Sequence, residues 1–298
     1  MVVYAVTASG YAHWFDSGEF VAAAADFGVS HPPGQPLAAI VLGAANLIPL
    51  GPIAFRLSIL CALLGAIAVV ALTAALANTL RAGDVVRAPL RFPLALAGAW
   101  WVAGTFAWWF QAVRPEVYAL QAALTCIAIE RLIRVSFSTE EGDVRPLYHA
   151  GLAFGLSLAN HHFLGALALV PALWLIVGVW RTFGWRPLGW SAAFAGAGLV
   201  TYVFLPLRAI AEPFLNLGDP STPGRLWWVV TAQAFQKSID PESVAPFGDR
   251  FGDVMLVMGE DLHVVVLLVA VLGAYFMLRV KDARKYGLFW LTLWIVYT

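Results

Sequence analysis

The sequence predicts an all-α polytopic membrane protein. Three observations carry this. The 298 residues are 61% hydrophobic and only 12% charged, whereas a soluble domain carries about 25% charged residues. The apolar residues gather in runs of spanning length, roughly 20 residues each. These runs lack the short alternating segments of a membrane β-barrel. Formal net charge is zero, so no nucleic-acid partner is implied. Cys61 and Cys126 both lie inside apolar runs and read as small buried hydrophobes, not as a disulfide or metal pair.

Taken in order, the chain opens on an apolar stub at 1–8, too short to span. A long outer segment follows at about 9–51 and contains two short helices. Asp16 begins the first, with Glu19 three residues later and Gly28 at its end, a capping-box-like start and a glycine stop. Pro36 suits the first position of the second. Apolar runs then lie at about 52–80, 92–112, 116–135, 147–180, 188–207 and 262–279, with a second stub at 286–298. The run at 147–180 is too long for one helix. It contains Asn160-His161-His162, costly at mid-bilayer, so a tight turn is expected there. Seven full spans and two partial ones result, forming one domain over 1–298 that reads as cut at both ends, with no cleavable signal peptide. A second outer segment, about 208–261, holds Leu217-Gly218-Asp219-Pro220, then Leu226-Trp227-Trp228, then Pro241 and Pro246. Its Trp residues suit a stretch lying on the membrane interface.

Basic residues set the orientation. If the N-terminus starts in the cytoplasm and every span alternates, the inner side holds Arg81, Arg87, Arg91, Arg131, Arg134, Arg145, Arg181, Arg186, Arg279, Lys281, Arg284 and Lys285. The outer side holds Arg56, Arg114, Arg208, Arg225, Lys237 and Arg250. That is twelve against six of the 18. Asp16, Glu19, His31, Arg56, Arg114, Glu116, His161, His162, Arg208 and Asp219 then all fall on the outer face. Polar groups collected on one face suggest an outward-facing enzyme; a transporter more often places them near mid-membrane, on broken helices.

Four motifs stand in order along the chain: Asp16-Ser17-Gly18-Glu19-Phe20 with Gly28-Val29-Ser30-His31-Pro32-Pro33-Gly34; Pro115-Glu116-Val117-Tyr118-Ala119-Leu120; Gly155-Leu156-Ser157-Leu158-Ala159-Asn160-His161-His162; and Leu205-Pro206-Leu207-Arg208-Ala209 with Asn216-Leu217-Gly218-Asp219-Pro220. Together, over residues about 4–240, they resemble the protein O-mannosyltransferase-like membrane family. Gln35 and Leu217 depart from the tyrosine and tryptophan of that pattern. The resemblance implies the GT-C glycosyltransferase architecture. It also implies transfer of a sugar, mannose or another, from a polyprenyl-phosphate donor to an acceptor hydroxyl outside the cytoplasmic membrane, with protein O-glycosylation as the first expectation. Transfer to a lipid or surface glycan, a lipid or solute transporter, and a noncatalytic scaffold are the alternatives. The implied partners are membrane lipid, the polyprenyl-phosphate sugar and a protein or glycan acceptor.

Such a transfer needs a carboxylate base and a cationic or donor-rich clamp for the leaving phosphate. By its place in the first outer loop, Asp16 is the expected base, with Glu19 beside it. Both also fit the plainer reading of a capped helix start. His31, stiffened by Pro32 and Pro33, is either a donor ligand or a surface histidine. His161 and His162 at the helix break face the same side, and at least one is expected in the site. Arg208 is the first choice for the phosphate, since a guanidinium fork suits phosphate oxygens; its rival reading is an arginine snorkelling to lipid headgroups. Arg56 and Arg114 are alternates. Glu116, at a helix start favoured by the dipole, Tyr118 and Asp219 are expected to line the pocket. Asp219 reads equally as a turn residue. No particular cofactor is indicated beyond the polyprenyl-phosphate sugar as donor substrate. The histidines and aspartates are compatible with a divalent metal, but no metal-ligand spacing is present. Trp100, Trp101, Trp108 and Trp109 read as an interfacial belt.

Overall fold

The computed structural model describes residues 1–12, 14–139, 142–236 and 247–297. Lys237, Pro241 and Pro246, used above, lie outside the described residues. All the regular elements among the described residues are helical, apart from one isolated bridge between Val29 and Asn216. The helices are α1 (Val2–Val6), α2 (Ser17–Asp26), α3 (Pro36–Asn46), α4 (Ile53–Gly83), α5 (Ala88–Ala103), α6 (Phe106–Ala112), α7 (Tyr118–Ser136), α8 (Arg145–Leu167), α9 (Leu169–Phe183), α10 (Trp185–Leu199), α11 (Phe204–Ile210), α12 (Pro223–Val230), α13 (Gln233–Gln236), α14 (Phe247–Leu262), α15 (Val264–Arg279) and α16 (Arg284–Tyr297). A 3-10 turn over Val200–Val203 joins α10 to α11.

Two stretches, Ile53–Gly83 and Trp185–Ile210, are long and apolar enough to cross a membrane alone. Two bent pairs qualify when joined: α8 with α9 at 89°, and Gly248–Leu262 with α15 at 108°. The chain is therefore a multi-pass helical membrane protein. The run at 92–112 divides at Gly104-Thr105, where the Thr105 hydroxyl accepts from the Trp108 amide and starts α6.

The central layer is α4, α7, α8 and α10. Small residues let α8 and α10 approach backbone to backbone. A Cβ on Gly155 would lie 2.0 Å from the Ala195 carbonyl oxygen, and one on Gly151 2.1 Å from that of Ser191. At one end of this layer Leu57, Cys61, Val117 and Ala119 form a buried cluster with Phe20, Ala24, Ala38 and Leu42 of α2 and α3. That cluster is the floor on which the first outer segment rests. At the opposite end Ile129, Leu132 and Ile133 of α7 pack with Leu175, Val179, Tyr286 and Phe289.

The helix break falls inside α8, with His161 at φ −151°, ψ 92° and Asn160 fully buried beside it. The Asn160 amide donates 3.0 Å to the Val117 carbonyl, tying the break to the start of α7. The chain doubles back there, since a Cβ on Gly165 would lie 3.0 Å from the Leu158 backbone nitrogen, and Ala168, between α8 and α9, keeps helical angles at φ −64°, ψ −20°.

Candidate active site

The first outer segment folds back on itself so that α2 and the turn at 30–35 face one another. Ser17–Asp26 forms a helix because its alanine-rich middle buries Phe20, Ala23 and Ala24. The expected capping box is not made. Asp16 occupies the N-cap but its side chain accepts no cap hydrogen bond. Glu19 reaches across the fold instead. Its Oε1 accepts from the His31 backbone N–H at 2.6 Å and lies 2.9 Å from His31 Nδ1. The better partner wins: an amide and an imidazole brought together by the turn offer two donors, where the helix start offers one. The exposed Asp16 carboxylate is thereby left free for other chemistry.

The glycine stop also differs from expectation. The left-handed residue closing α2 is Phe27 at φ 57°, not Gly28. Gly28 is required by a close approach, because a Cβ there would sit 2.6 Å from the Leu215 carbonyl oxygen. The turn at 30–35 contains a cis Pro32-Pro33 bond and Gly34 at φ 85°. Ser30 Oγ donates 2.6 Å to Gln35 Oε1, and Gln35 Nε2 lies 3.2 Å from His31 Nε2. His31 is thus held at both ring nitrogens. Phe235 approaches it edge-on, with centroids 6.1 Å apart.

The connection between α6 and α7 forms the back wall. Arg114 and Glu116 are buried there, 3% and 2% exposed, and pair at 2.9 Å. Arg114 also donates to the Trp14 carbonyl at 3.1 Å and to Gln111 Oε1 at 2.9 Å, and lies 4.3 Å from the Phe110 ring centroid. Glu116 Oε2 and Arg114 Nε have no partner. Burial pushes the Glu116 carboxyl up to about 7, against the pull of Arg114; the Asp16 charge raises it further. The hydrogen bond to Glu19 raises His31 above its ordinary value, against the opposing effect of burial. Burial alone would push Glu19 up, but the His31 hydrogen bonds hold it below its ordinary value.

Asp16, Glu19, His31, Arg114 and Glu116 therefore form one linked cluster. Tyr118 adjoins it and faces the His161 ring at 6.1 Å. His162 Nδ1 is buried without a partner. The other arginines go elsewhere. Arg208 Nε donates 2.8 Å to the Phe27 carbonyl and its terminal nitrogen reaches the Asp26 carbonyl. Arg56 donates 2.8 Å to the Ile48 carbonyl and also reaches that of Asn46. Both fasten the ends of α2 and α3. Asp219, at φ 43°, pairs with Arg225 at 2.9 Å in a turn. Sequence spacing showed no metal pattern, yet ligand atoms of Asp16, Glu19 and His31 lie within 4.8 Å of one another. The buried Gln35, which departs from the family pattern, is a neighbour of His31 Nε2. Its position four residues after His31 was the available signal.

A multi-pass core, helical throughout the described residues, with a carboxylate–histidine–arginine cluster at one end of its helices defines the class: a membrane protein with a built polar site. Within it, the chain belongs to the family of the protein O-mannosyl-transferase TMEM260 N-terminal domain, whose model matches residues 16–182. That span runs from Asp16 through α9 and takes in the whole cluster. The chain is also 29% identical over 220 residues to the mouse (Mus musculus) protein O-mannosyl-transferase TMEM260. The aligned region covers 70% of this chain and 29% of that protein, so the chain spans under a third of its relative. No solved structure matches.

Proposed function

We propose that the chain is the membrane core of a GT-C-type glycosyltransferase. It moves a sugar, mannose by analogy with its relative's name, from a polyprenyl phosphate to a protein hydroxyl on the extracytoplasmic face of the cytoplasmic membrane. The observation that carries this is the exposed, uncapped Asp16 carboxylate at the head of α2, inside a span matched by an O-mannosyl-transferase family model. In the proposed step the acceptor hydroxyl gives its proton to Asp16 and its oxygen bonds to the anomeric carbon. The carbon–oxygen bond to the lipid phosphate breaks as the phosphate leaves with the electron pair. One carboxylate acting as base predicts inversion at that carbon. The Glu19–His31 pair holds the base's surroundings, and Tyr118 and His161 line the floor. The domain would cross the bilayer with seven full spans and two partial ones, its basic loops inside.

The experiment is sugar release from a panel of radiolabelled polyprenyl-phosphate sugars by full-length protein in liposomes, wild type beside Asp16→Asn. Turnover of one donor, reduced by about 10²–10⁴-fold in a folded Asp16→Asn protein, is the expected result for a lost general base. Equal turnover in both would remove Asp16 from the chemistry.

A further inference from the structure

We propose that Asp16, Glu19 and His31 bind one divalent transition-metal cation, with Glu116 supplying counter-charge from behind. The geometry suits a cation. Carboxylate oxygens and imidazole nitrogens bind such ions at about 2.0–2.2 Å, which places neighbouring ligand atoms roughly 3.0–3.4 Å apart. Glu19 Oε1 and His31 Nδ1 stand 2.9 Å apart, and the Asp16 carboxylate completes a set lying within 4.8 Å. Mixed oxygen and imidazole ligation favours ions such as Mn²⁺ and Zn²⁺ over Mg²⁺ or Ca²⁺.

Two independent observations point to a ligand. Arg114 holds Glu116 Oε1, leaving the buried Oε2 without a partner. The same Arg114 nitrogen reaches Glu116 Oε1, the Trp14 carbonyl and Ser17 Oγ on either side of Asp16, so the Glu116 carboxyl stands behind the head of α2. The balance of charge is also acidic. Three carboxyls face Arg114 and a histidine that is cationic only when protonated. Arg208 and Arg56, which could have offset them, are committed to backbone carbonyls. A phosphate-bearing ligand would meet a repulsive site, and a bound dication reverses that. This last role rests on the proposed sugar transfer; the cation site itself does not.

The histidine is supported for the purpose. A metal-ligating imidazole donates its other N–H to a fixed oxygen. With its amide turned over, Gln35 would accept from His31 Nε2–H and donate to Ser30 Oγ, whose hydroxyl also reaches the Gly34 carbonyl 3.1 Å away. The chain Ser30–Gln35–His31 is satisfied in either orientation. Cation binding displaces the proton shared between His31 and Glu19, so affinity falls as pH falls.

The test needs neither donor nor acceptor. Full-length protein in nanodiscs is stripped with EDTA, exchanged into chelator-free buffer and titrated with Mn²⁺, reading free Mn²⁺ by electron paramagnetic resonance. One Mn²⁺ per chain is expected, displaced by Zn²⁺. Affinity drops at least tenfold in Glu19→Gln and in His31→Gln and is unchanged in Asp84→Asn. A wild-type measurement covers variants that fail to fold: in histidine-labelled protein, substoichiometric Mn²⁺ should broaden the His31 resonance and spare His149. Absence of saturable uptake at millimolar metal, binding equally strong in the variants, or an unbroadened His31 would each overturn the site. A cation bound without sugar release would leave this inference standing and sink the glycosyltransferase reading; the converse result would do the opposite.

Discussion

At the scale of single residues, the Glu19–His31 pair makes the sharpest commitment. Its hydrogen bond raises His31 and holds Glu19 down. The linkage has a definite sign. A raised histidine contributes its full stabilisation below its unfolded value, about 6.5, and loses it as pH rises through the raised folded value. A depressed carboxylate contributes above its unfolded value, about 4.3, and loses it as pH falls. The pair therefore stabilises most between those two values. Histidine-detected NMR of metal-free protein should show His31 titrating above 6.5, and Glu19→Gln should bring it back down. The buried Arg114–Glu116 pair predicts a different response. Replacing Arg114 with Gln strands a buried carboxylate, which costs about 3–5 kcal/mol. Burial already lifts Glu116 to about 7, so the deficit should shrink as pH is lowered and Glu116 takes up a proton. Thermal melts of wild type and Arg114→Gln across that range check it.

At the scale of elements, α2 is set by what fastens its two ends. At its start Arg114 donates to the Trp14 carbonyl and the Ser17 hydroxyl; at its end Arg208 grips the Asp26 and Phe27 carbonyls. The Asp26 carboxylate accepts from the Phe214 amide at 2.6 Å, and Val29 exchanges backbone hydrogen bonds with Leu215 and Leu217. Gly28→Val would drive a side chain into the Leu215 carbonyl. Hydrogen exchange should then show faster opening of 26–30 and of 214–217 together, while α4 and α7 stay protected. This arrangement explains what was legible in the sequence. Both short outer helices, with Pro36 opening the second, follow from local periodicity and turn residues. The partners of Glu19 and Arg208 do not, because each lies across a gap that only the tertiary fold closes. A capping box and a carboxylate–histidine pair use the same Glu19, and spacing alone cannot choose between them. Arg208 illustrates the same gap from the other side. Its chemistry suits phosphate, and the fold also sets its Nε and one terminal nitrogen on two carbonyls at a helix end.

At the scale of the whole molecule, composition made the helical membrane class plain, and the ordered motifs made the family plain. The way α8 bends is more specific. Asn160-His161-His162 marks the break, and the backbone leaves helical geometry there, at His161, while Ala168 keeps helical angles. Polar residues too costly for mid-bilayer fixed where the helix yields. The polar cluster and the basic loops are expected on opposite sides of the bilayer. In a Cys61→Ala, Cys126→Ala background, Gly224→Cys should react with an impermeant maleimide added outside. Asp84→Cys should react only after permeabilisation. Reaction of both from one side would overturn the orientation. Packing gives a further prediction at this scale. Gly155→Leu must push α8 from α10, since even a Cβ would collide with the Ala195 carbonyl. A loss of ~1–3 kcal/mol or more is expected, visible as a lowered melting temperature in detergent.

The bridge between Val29 and Asn216 also sets a clock. Its two partners are separated by 216 − 29 = 187 positions. At about 5–20 residues per second of synthesis, that interval lasts on the order of 10–40 seconds. Glu19 and His31 can meet soon after emerging, but the strand of chain that braces them does not yet exist. A ribosome-bound intermediate halted before Arg208 would carry every residue of the carboxylate–histidine cluster and still lack its fastening. During membrane insertion the site waits, half-built, for the last of its supports to arrive.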